Sequence, residues 1–139
     1  MTPAAIAAAA DELLDMRATH RVEVDLPERL RPTNLDDAYA IQRLVVAGLM
    51  PVGGRRIGYK AACTSPIAQA ALEVDGPLFG QLMSHSSRQS GSSLAANDFV
   101  HRVIEAEFAF RMGADASPQA GGHTIESIAT CIDAVLPAI

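Results

Sequence analysis

The 139-residue sequence has few aromatic side chains, only two cysteines and no long apolar run. Aromatic residues make up 4% of the chain, so we expect a core built from small aliphatic side chains. Cys63 and Cys131 show no zinc-type spacing and are typical of reduced cytosolic thiols. A membrane helix needs about 20 consecutive apolar residues, and no basic region precedes the Ala-rich residues 4–10. The sequence therefore predicts a cytoplasmic protein.

Negative charge exceeds positive charge in this chain. Sixteen acidic and eleven basic residues give a formal net charge of -5 at pH 7. Such a balance repels a phosphate backbone, so nucleic acid is not expected as a partner. The lack of a long apolar run means that no membrane is expected as a partner either. The 49% hydrophobic content predicts a globular chain, and its length suits one structural unit.

The first third of the sequence has the period of helices. Thr2 and Pro3 predict a capped start, and apolar residues recur at helical spacing to about Arg17. A second helix is predicted to begin near Thr33 and to end before Pro51.

Shorter elements follow the predicted second helix. Their composition predicts a turn over residues 51–55, a strand over 56–63 and a short helix over 65–72. A second turn-rich segment over residues 74–80 and a Ser/Gly loop over 84–93 are predicted to follow.

The last third begins with a period of two. It predicts a strand over residues 100–112, followed by a helix that Thr124 caps and that ends near Pro137. The whole pattern indicates an α+β fold that begins with a helical segment over residues 1–50.

Two carboxylates lie two residues apart within this last predicted strand. Alternation puts Glu105 and Glu107 on one face, together with His101 and Arg111. One interpretation is a solvated face of an antiparallel strand. The other is a pair of oxygen ligands for a hard cation such as Mg²⁺. Spacing alone favours the solvated face.

Lys60 also has two interpretations. It lies in the predicted strand that contains Gly58, and small neighbours would allow its side chain to turn toward a site. Taken by itself, the motif favours an ordinary surface lysine. No Ser/His/Asp arrangement and no Gly-rich phosphate loop is recognisable elsewhere.

Five motifs, taken in order, resemble the 2-keto-4-pentenoate hydratase family of the fumarylacetoacetate hydrolase superfamily, which also contains 4-oxalocrotonate decarboxylases. They are DDAYAIQ, GRRIGYK, TSP, VDGPLFG and EAEFAF, at residues 36–42, 54–60, 64–66, 74–80 and 105–110.

The resemblance implies a metal-dependent hydro-lyase in which residues 51–139 form the first part of a β-rich mixed catalytic domain. It implies that Glu105 and Glu107 hold Mg²⁺ or Mn²⁺, that Lys60 contacts substrate or moves protons, and that Thr64 and Ser65 bind substrate. The implied reaction hydrates short unsaturated 2-oxo acids, such as 2-hydroxypenta-2,4-dienoate from aromatic-compound breakdown, through a metal-stabilised enolate. A homo-oligomer is expected.

Alternatives remain open within and beyond the enzyme class. The same scaffold serves 2-oxo acid decarboxylation and acylpyruvate hydrolysis, and the chain could instead be an inactive fragment or a non-catalytic subunit. Some family members have glycine at the position of Ala62 or an acidic residue at that of Leu78. The resemblance also places a third metal-binding acid just beyond Ile139, so the chain resembles an N-terminal half and is expected to bind metal weakly.

Overall fold

The computed structural model describes the backbone of residues 1–139 and all side chains except those of residues 51–53. The chain forms two compact units, Met1–Val100 and His101–Ile139. The helices are α1 (Pro3–Thr19), α2 (Leu35–Gly53), α3 (Pro66–Ala71) and α4 (Ile125–Ala129), and the strands are β1 (Arg56–Ala62), β2 (Leu78–Met83), β3 (Glu107–Met112) and β4 (Ile132–Ala138). Short 3-10 turns cover Glu28–Leu30, Ser84–Ser86 and Ala96–Asp98.

The predicted α+β class is confirmed by this mixture of helices and short strands. The division into segments 1–50 and 51–139 stays a prediction. No helix in the part of the chain that the structure describes combines the length and the apolar character required to traverse a bilayer.

The core of the first unit lies between α1 and α2. Its buried side chains are small or aliphatic, as the composition predicts: Ala9, Ala10, Leu30 and Ile41. At the start of α1, the Thr2 hydroxyl accepts a hydrogen bond from the Ala5 N–H at 3.2 Å, and Pro3 occupies the first helical position. The first predicted helix is therefore confirmed, with an end at Thr19.

Helix α2 differs from the prediction at both ends. Its N-cap is Asn34 rather than Thr33, and the Asn34 side chain accepts from the Asp37 N–H at 2.9 Å. The predicted stop before Pro51 is wrong, because the helix runs to Gly53. Gly54 ends it at φ +82°, a conformation that glycine adopts without strain. The predicted turn over residues 51–55 includes residues 51–53, whose side chains lie outside the described residues.

Strands β1 and β2 form an antiparallel pair. The strand over residues 56–63 is confirmed, but the interpretation of residues 74–80 as turns is wrong for their second half, since β2 begins at Leu78. The pairing sets Lys60 opposite Gly80 and Ala62 opposite Leu78. The composition of this segment did not predict β2, because Pro77 and Gly80 are typical of turns. In the structure, pairing with β1 outweighs this weak local preference.

Two side chains of α2 bind the outer edge of β2 at one residue. The Phe79 N–H donates to the Tyr39 hydroxyl at 3.3 Å, and the Gln42 side-chain amide donates to the Phe79 carbonyl at 2.9 Å. The Tyr39 and Phe79 rings are also stacked, with their centroids 4.5 Å apart. Both backbone groups of Phe79 are thus satisfied by α2, which anchors β2.

The second unit is an antiparallel pair of β3 and β4 with α4 between them in sequence. The strand predicted over residues 100–112 begins only at Glu107, so the prediction is wrong for its first half. The helix predicted from Thr124 to Pro137 is also wrong beyond Ala129, because residues 132–138 form β4. The apolar residues of this segment fit a helical period. However, pairing with β3 satisfies the backbone hydrogen-bonding groups of the segment, so it forms a strand.

The first turn of α4 is closed by a capping box. The Thr124 hydroxyl accepts from the Ser127 N–H at 3.2 Å, and the Ser127 hydroxyl accepts from the Thr124 N–H at 2.9 Å. The pKa of the Glu126 carboxyl in this turn is lowered, first by its own backbone N–H and then by the Thr124 hydroxyl.

Acid is expected to weaken the second unit through Glu126. A carboxyl with a lowered folded-state pKa stabilises the fold above its unfolded-state pKa, and this contribution is lost as the pH falls through the folded-state pKa. Glu126→Gln should therefore leave a smaller loss of stability below about pH 5 than the unaltered chain shows. Thermal unfolding at pH 7 and pH 3 measures this, with Asp115→Asn as the control. Equal acid sensitivity of the Glu126→Gln variant and the unaltered chain would contradict it.

Candidate functional site

Lys60 is the single lysine of the chain and lies in β1. Alternation along the strand puts Gly58 and Ala62 on its face, and the register adds residues of β2 to the same face. The register partners are Leu82 for Gly58, Gly80 for Lys60 and Leu78 for Ala62. On this face, the two strands flank the half-buried lysine with glycine, alanine and leucine residues.

Gly80 leaves open space directly across from Lys60. A Cβ atom added at Gly80 would meet no other atom within 4 Å, apart from its own chain neighbours. At Gly58, an added Cβ would only touch the end of the Leu82 side chain, at 3.9 Å. The face of Lys60 therefore carries a strip of accessible backbone between Leu78 and Leu82.

The connection from β1 to α3 carries the other predicted residues of this unit. Cys63 has a φ of +54°, which is unusual for a residue with a side chain, and its carbonyl accepts from the Gln69 side-chain amide at 2.8 Å. Next come Thr64, which is exposed, and Ser65, whose hydroxyl accepts from the Ala68 N–H at 3.2 Å. Ser65 is thus the N-cap of α3, a role that needs only its oxygen lone pair and leaves its proton to donate.

Glu105 and Glu107 lie in the second unit, and both are exposed. Glu107 is the first residue of β3 and pairs with Ala138 of β4, whereas Glu105 precedes the strand. Strand alternation therefore does not fix the direction of the Glu105 side chain. The prediction that Glu105 and Glu107 share one strand face is wrong, because only Glu107 lies in the strand. Further along β3, the Arg111 guanidinium donates to the Asp133 carboxylate at 2.7 Å and 2.6 Å.

The carboxylate oxygens of the two glutamates are the type of ligand atom that a hard divalent cation binds. Carboxylate oxygens are the ligands that Mg²⁺ takes, often one or two per site together with water and substrate. Among the residues whose side chains are described, no group of three or more His, Cys, Asp or Glu residues could hold a metal. The antiparallel register brings the end of β4 beside Glu107, which pairs with Ala138.

The predicted site residues divide between the units. Lys60, Thr64 and Ser65 belong to Met1–Val100, while Glu105 and Glu107 belong to His101–Ile139. Within the first unit, sequence reasoning did not link Lys60 to Leu78 and Gly80, because β2 was not recognised as a strand. Depressions of about 330 Å³ beside the start of α2 and about 320 Å³ beside the end of α1 contain none of the five predicted residues.

Comparison with known proteins identifies relatives along nearly the whole chain. The 2-keto-4-pentenoate hydratase 2 of Dechloromonas aromatica is 33% identical over 132 residues, which are 95% of this chain and 50% of that protein. The 2-oxo-hept-4-ene-1,7-dioate hydratase of Escherichia coli is 30% identical over 119 residues, 85% of this chain and 42% of that protein. A 4-oxalocrotonate decarboxylase of Pseudomonas putida is 29% identical over 121 residues, 86% of this chain and 43% of that protein. No protein-family model matches.

These matches define the class first: the chain is related to hydratases and decarboxylases. More particularly, it is related to the 2-keto-4-pentenoate hydratase and 4-oxalocrotonate decarboxylase family, and the resemblance predicted from its motifs is confirmed. The chain spans about half the length of the curated relatives it matches.

Proposed function

We propose that this protein is a hydratase of short unsaturated 2-oxo acids, such as 2-hydroxypenta-2,4-dienoate, in the breakdown of aromatic compounds. The similarity to 2-keto-4-pentenoate hydratases over 95% of the chain carries the proposal. The surroundings of Lys60 support it, because a lysine beside open backbone can bind an anionic acid and exchange a proton with it.

In this proposal, the residues of the first unit bind and orient the acid. The Lys60 ammonium pairs with its negative charge or moves a proton to and from the carbon chain. The Thr64 and Ser65 hydroxyls, at the turn that the unusual Cys63 conformation creates, donate hydrogen bonds to its oxygens. Positive φ at a residue with a side chain is often found where a functional site requires a particular backbone course.

Glu105 and Glu107 are proposed to hold Mg²⁺ or Mn²⁺. Their oxygen donors and their exposure are compatible with a cation that keeps several water ligands. When bound, the cation supplies positive charge that offsets negative charge developing on the 2-oxygen of the acid. We further propose a cytoplasmic location, which the free thiols of Cys63 and Cys131 support.

A second candidate function is decarboxylation of a 2-oxo acid. The specific observation in its favour is the 29% identity to a 4-oxalocrotonate decarboxylase over 86% of this chain. The residues assigned above serve this reaction equally, because both reactions need charge stabilised at the 2-oxygen of the acid.

Self-association is part of the proposal. In the second unit, large apolar side chains are exposed on the β3–β4 pair, with Phe108 at 78% and Phe110 at 57%. Water-exposed apolar side chains on a two-stranded sheet favour burial against another surface, since such a pair is marginal by itself. A homo-oligomer would provide that surface, whereas a non-catalytic subunit would find it on another protein.

An activity assay with added metal tests the proposed function. The chain should consume 2-hydroxypenta-2,4-dienoate with Mg²⁺ or Mn²⁺ present, and a chelator should abolish the reaction. Product analysis separates addition of water from release of carbon dioxide, and 4-oxalocrotonate tests the second candidate directly. Absence of any turnover of either acid by the chain with either metal would contradict both functions.

A further inference from the structure

We propose that Tyr39 and Gln42 of α2 are positioning residues for Lys60, and that they act on the lysine through β2. The inference deepens the proposed function and rests on it for the reaction that Lys60 serves. Both side chains belong to the motif DDAYAIQ at residues 36–42, to which the proposed function assigns no role.

Helix α2 binds the outer edge of β2 where a third strand could otherwise pair. Tyr39 and Gln42 are three positions apart and so lie on one side of the helix. The Tyr39 hydroxyl accepts from the Phe79 N–H at 3.3 Å, and the Gln42 side-chain amide donates to the Phe79 carbonyl at 2.9 Å. Successive residues of a strand direct their backbone groups to opposite edges, so those of Gly80 face β1, where Lys60 is the register partner. The contacts of α2 with Phe79 therefore constrain the backbone at Lys60 through one intervening residue.

Aromatic rings hold Phe79 on the face of the strand pair that lies opposite Lys60. The Tyr39 ring is stacked on the Phe79 ring at 4.5 Å between centroids, and the Tyr59 ring meets the Phe79 ring edge-on at 6.0 Å. Tyr59 precedes Lys60 in β1, so alternation puts the two side chains on opposite faces. Substitutions at Tyr39 and Gln42 therefore leave unaltered the residues that are proposed to bind the acid.

A separate contact fixes the other end of the strand pair. The Ser84 N–H donates to the Arg55 carbonyl at 2.9 Å, and the Arg55 N–H donates to the Ser84 hydroxyl oxygen at 3.1 Å. Lys60 lies between this contact and Phe79 along the pair. Loss of the hydrogen bonds to Phe79 should thus let one end of the pair move while the pairing persists. A displacement of 1 Å at a reacting group can lower a rate by about 100-fold.

A double-mutant cycle with Lys60 tests whether the two α2 side chains act through the lysine. Tyr39→Phe keeps the stacked ring, and Gln42→Met keeps the length and the helical preference of the side chain. Together they are expected to lower kcat/KM for 2-hydroxypenta-2,4-dienoate by about tenfold. In the Lys60→Met variant, the same two substitutions should change kcat/KM by less than about twofold, because the residue through which they act is gone. A merely structural role would lower kcat/KM by one factor in both backgrounds.

The single lysine supplies a readout that does not depend on catalysis. Reductive methylation with ¹³C-formaldehyde labels Lys60, together with the α-amine of Met1, and keeps the positive charge. The chemical shift of the Lys60 methyl signal should change in the double variant and in Gln42→Met alone, which serves if the double variant fails to fold. Gln89→Met is the same substitution at an exposed loop residue and should leave the signal unchanged. Circular dichroism confirms that each variant is folded.

The outcomes separate this inference from the proposed function. The inference is overturned by an unchanged Lys60 signal in folded variants, by an equal change in Gln89→Met, or by equal losses of kcat/KM with and without the lysine. A changed Lys60 signal in a chain that does not hydrate 2-hydroxypenta-2,4-dienoate supports the positioning role and overturns only the proposed reaction. Turnover that the substitutions at Tyr39 and Gln42 leave intact overturns the inference alone.

Discussion

Replacing Glu107 by Gln is expected to weaken Mn²⁺ binding by more than about tenfold and to remove metal-dependent turnover. The amide keeps the size of the side chain but loses the negative charge that a hard cation prefers in a ligand. Even substitution of a residue that only hydrogen-bonds to a metal ligand lowers metal affinity by about 10- to 100-fold. Glu107 starts β3 and is exposed, so the substitution leaves the strand pairing in place. Calorimetric titration of the chain and the variant with Mn²⁺ measures the effect.

Asp115→Asn is the matched control for this substitution. Asp115 is exposed in the same unit and loses the same charge, so a general electrostatic effect would weaken metal binding in both variants. A gain-of-binding counterpart uses the register of β3 and β4: a glutamate added after Ile139 should strengthen Mn²⁺ binding, and a glutamine added there should not. Equal Mn²⁺ affinity of the chain and the Glu107→Gln variant would exclude the proposed metal site.

Replacing Lys60 by Met is expected to lower kcat/KM for hydration by about 100-fold or more, within the range for loss of a general acid or base. Methionine preserves the length and apolar stem of the lysine, so the pairing of β1 with β2 should persist in circular dichroism. Steady-state kinetics on 2-hydroxypenta-2,4-dienoate with saturating Mg²⁺ measures the loss.

Lys60→Arg separates the two roles proposed for this lysine. Arginine keeps the positive charge but does not release a proton near neutral pH, so a purely ionic role predicts recovery of KM and kcat. A proton-transfer role predicts that KM recovers while kcat remains low. Arg56→Met, in the same strand, is the control and should change neither constant greatly. Full activity of Lys60→Met would remove Lys60 from the proposed mechanism.

Local signals in the sequence predicted all three α-helices of the first unit, although both ends of α2 differ from the prediction. Thr2 with Pro3 and Ser65 with Pro66 are capping patterns that act within one turn, and the structure uses both. The strand of Lys60 was also predictable from its composition. The family resemblance depended on motifs spread over the chain and needed no knowledge of the fold.

Long-range pairing decided the elements that local signals missed. Residues 132–138 carry apolar side chains at a helical period, yet they form β4 because β3 offers backbone partners along their length. Strand β2 contains a glycine and follows a proline, but α2 binds its outer edge through Tyr39 and Gln42. At Glu105 the alternating pattern predicted a strand that the structure does not contain. Alternation alone does not form a strand where no neighbouring strand pairs with the backbone.

The sequence by itself determined the family relationship, the α+β class and the chemical kinds of residue available, because these depend on residue identity and local spacing. Only the tertiary structure decided what lies beside Lys60. The pairing of β1 with β2 brings Gly80 across from the lysine and Leu78 to its flank, although both are distant from it along the chain. That neighbourhood arises from backbone hydrogen bonds between distant segments, which no local pattern of side chains specifies.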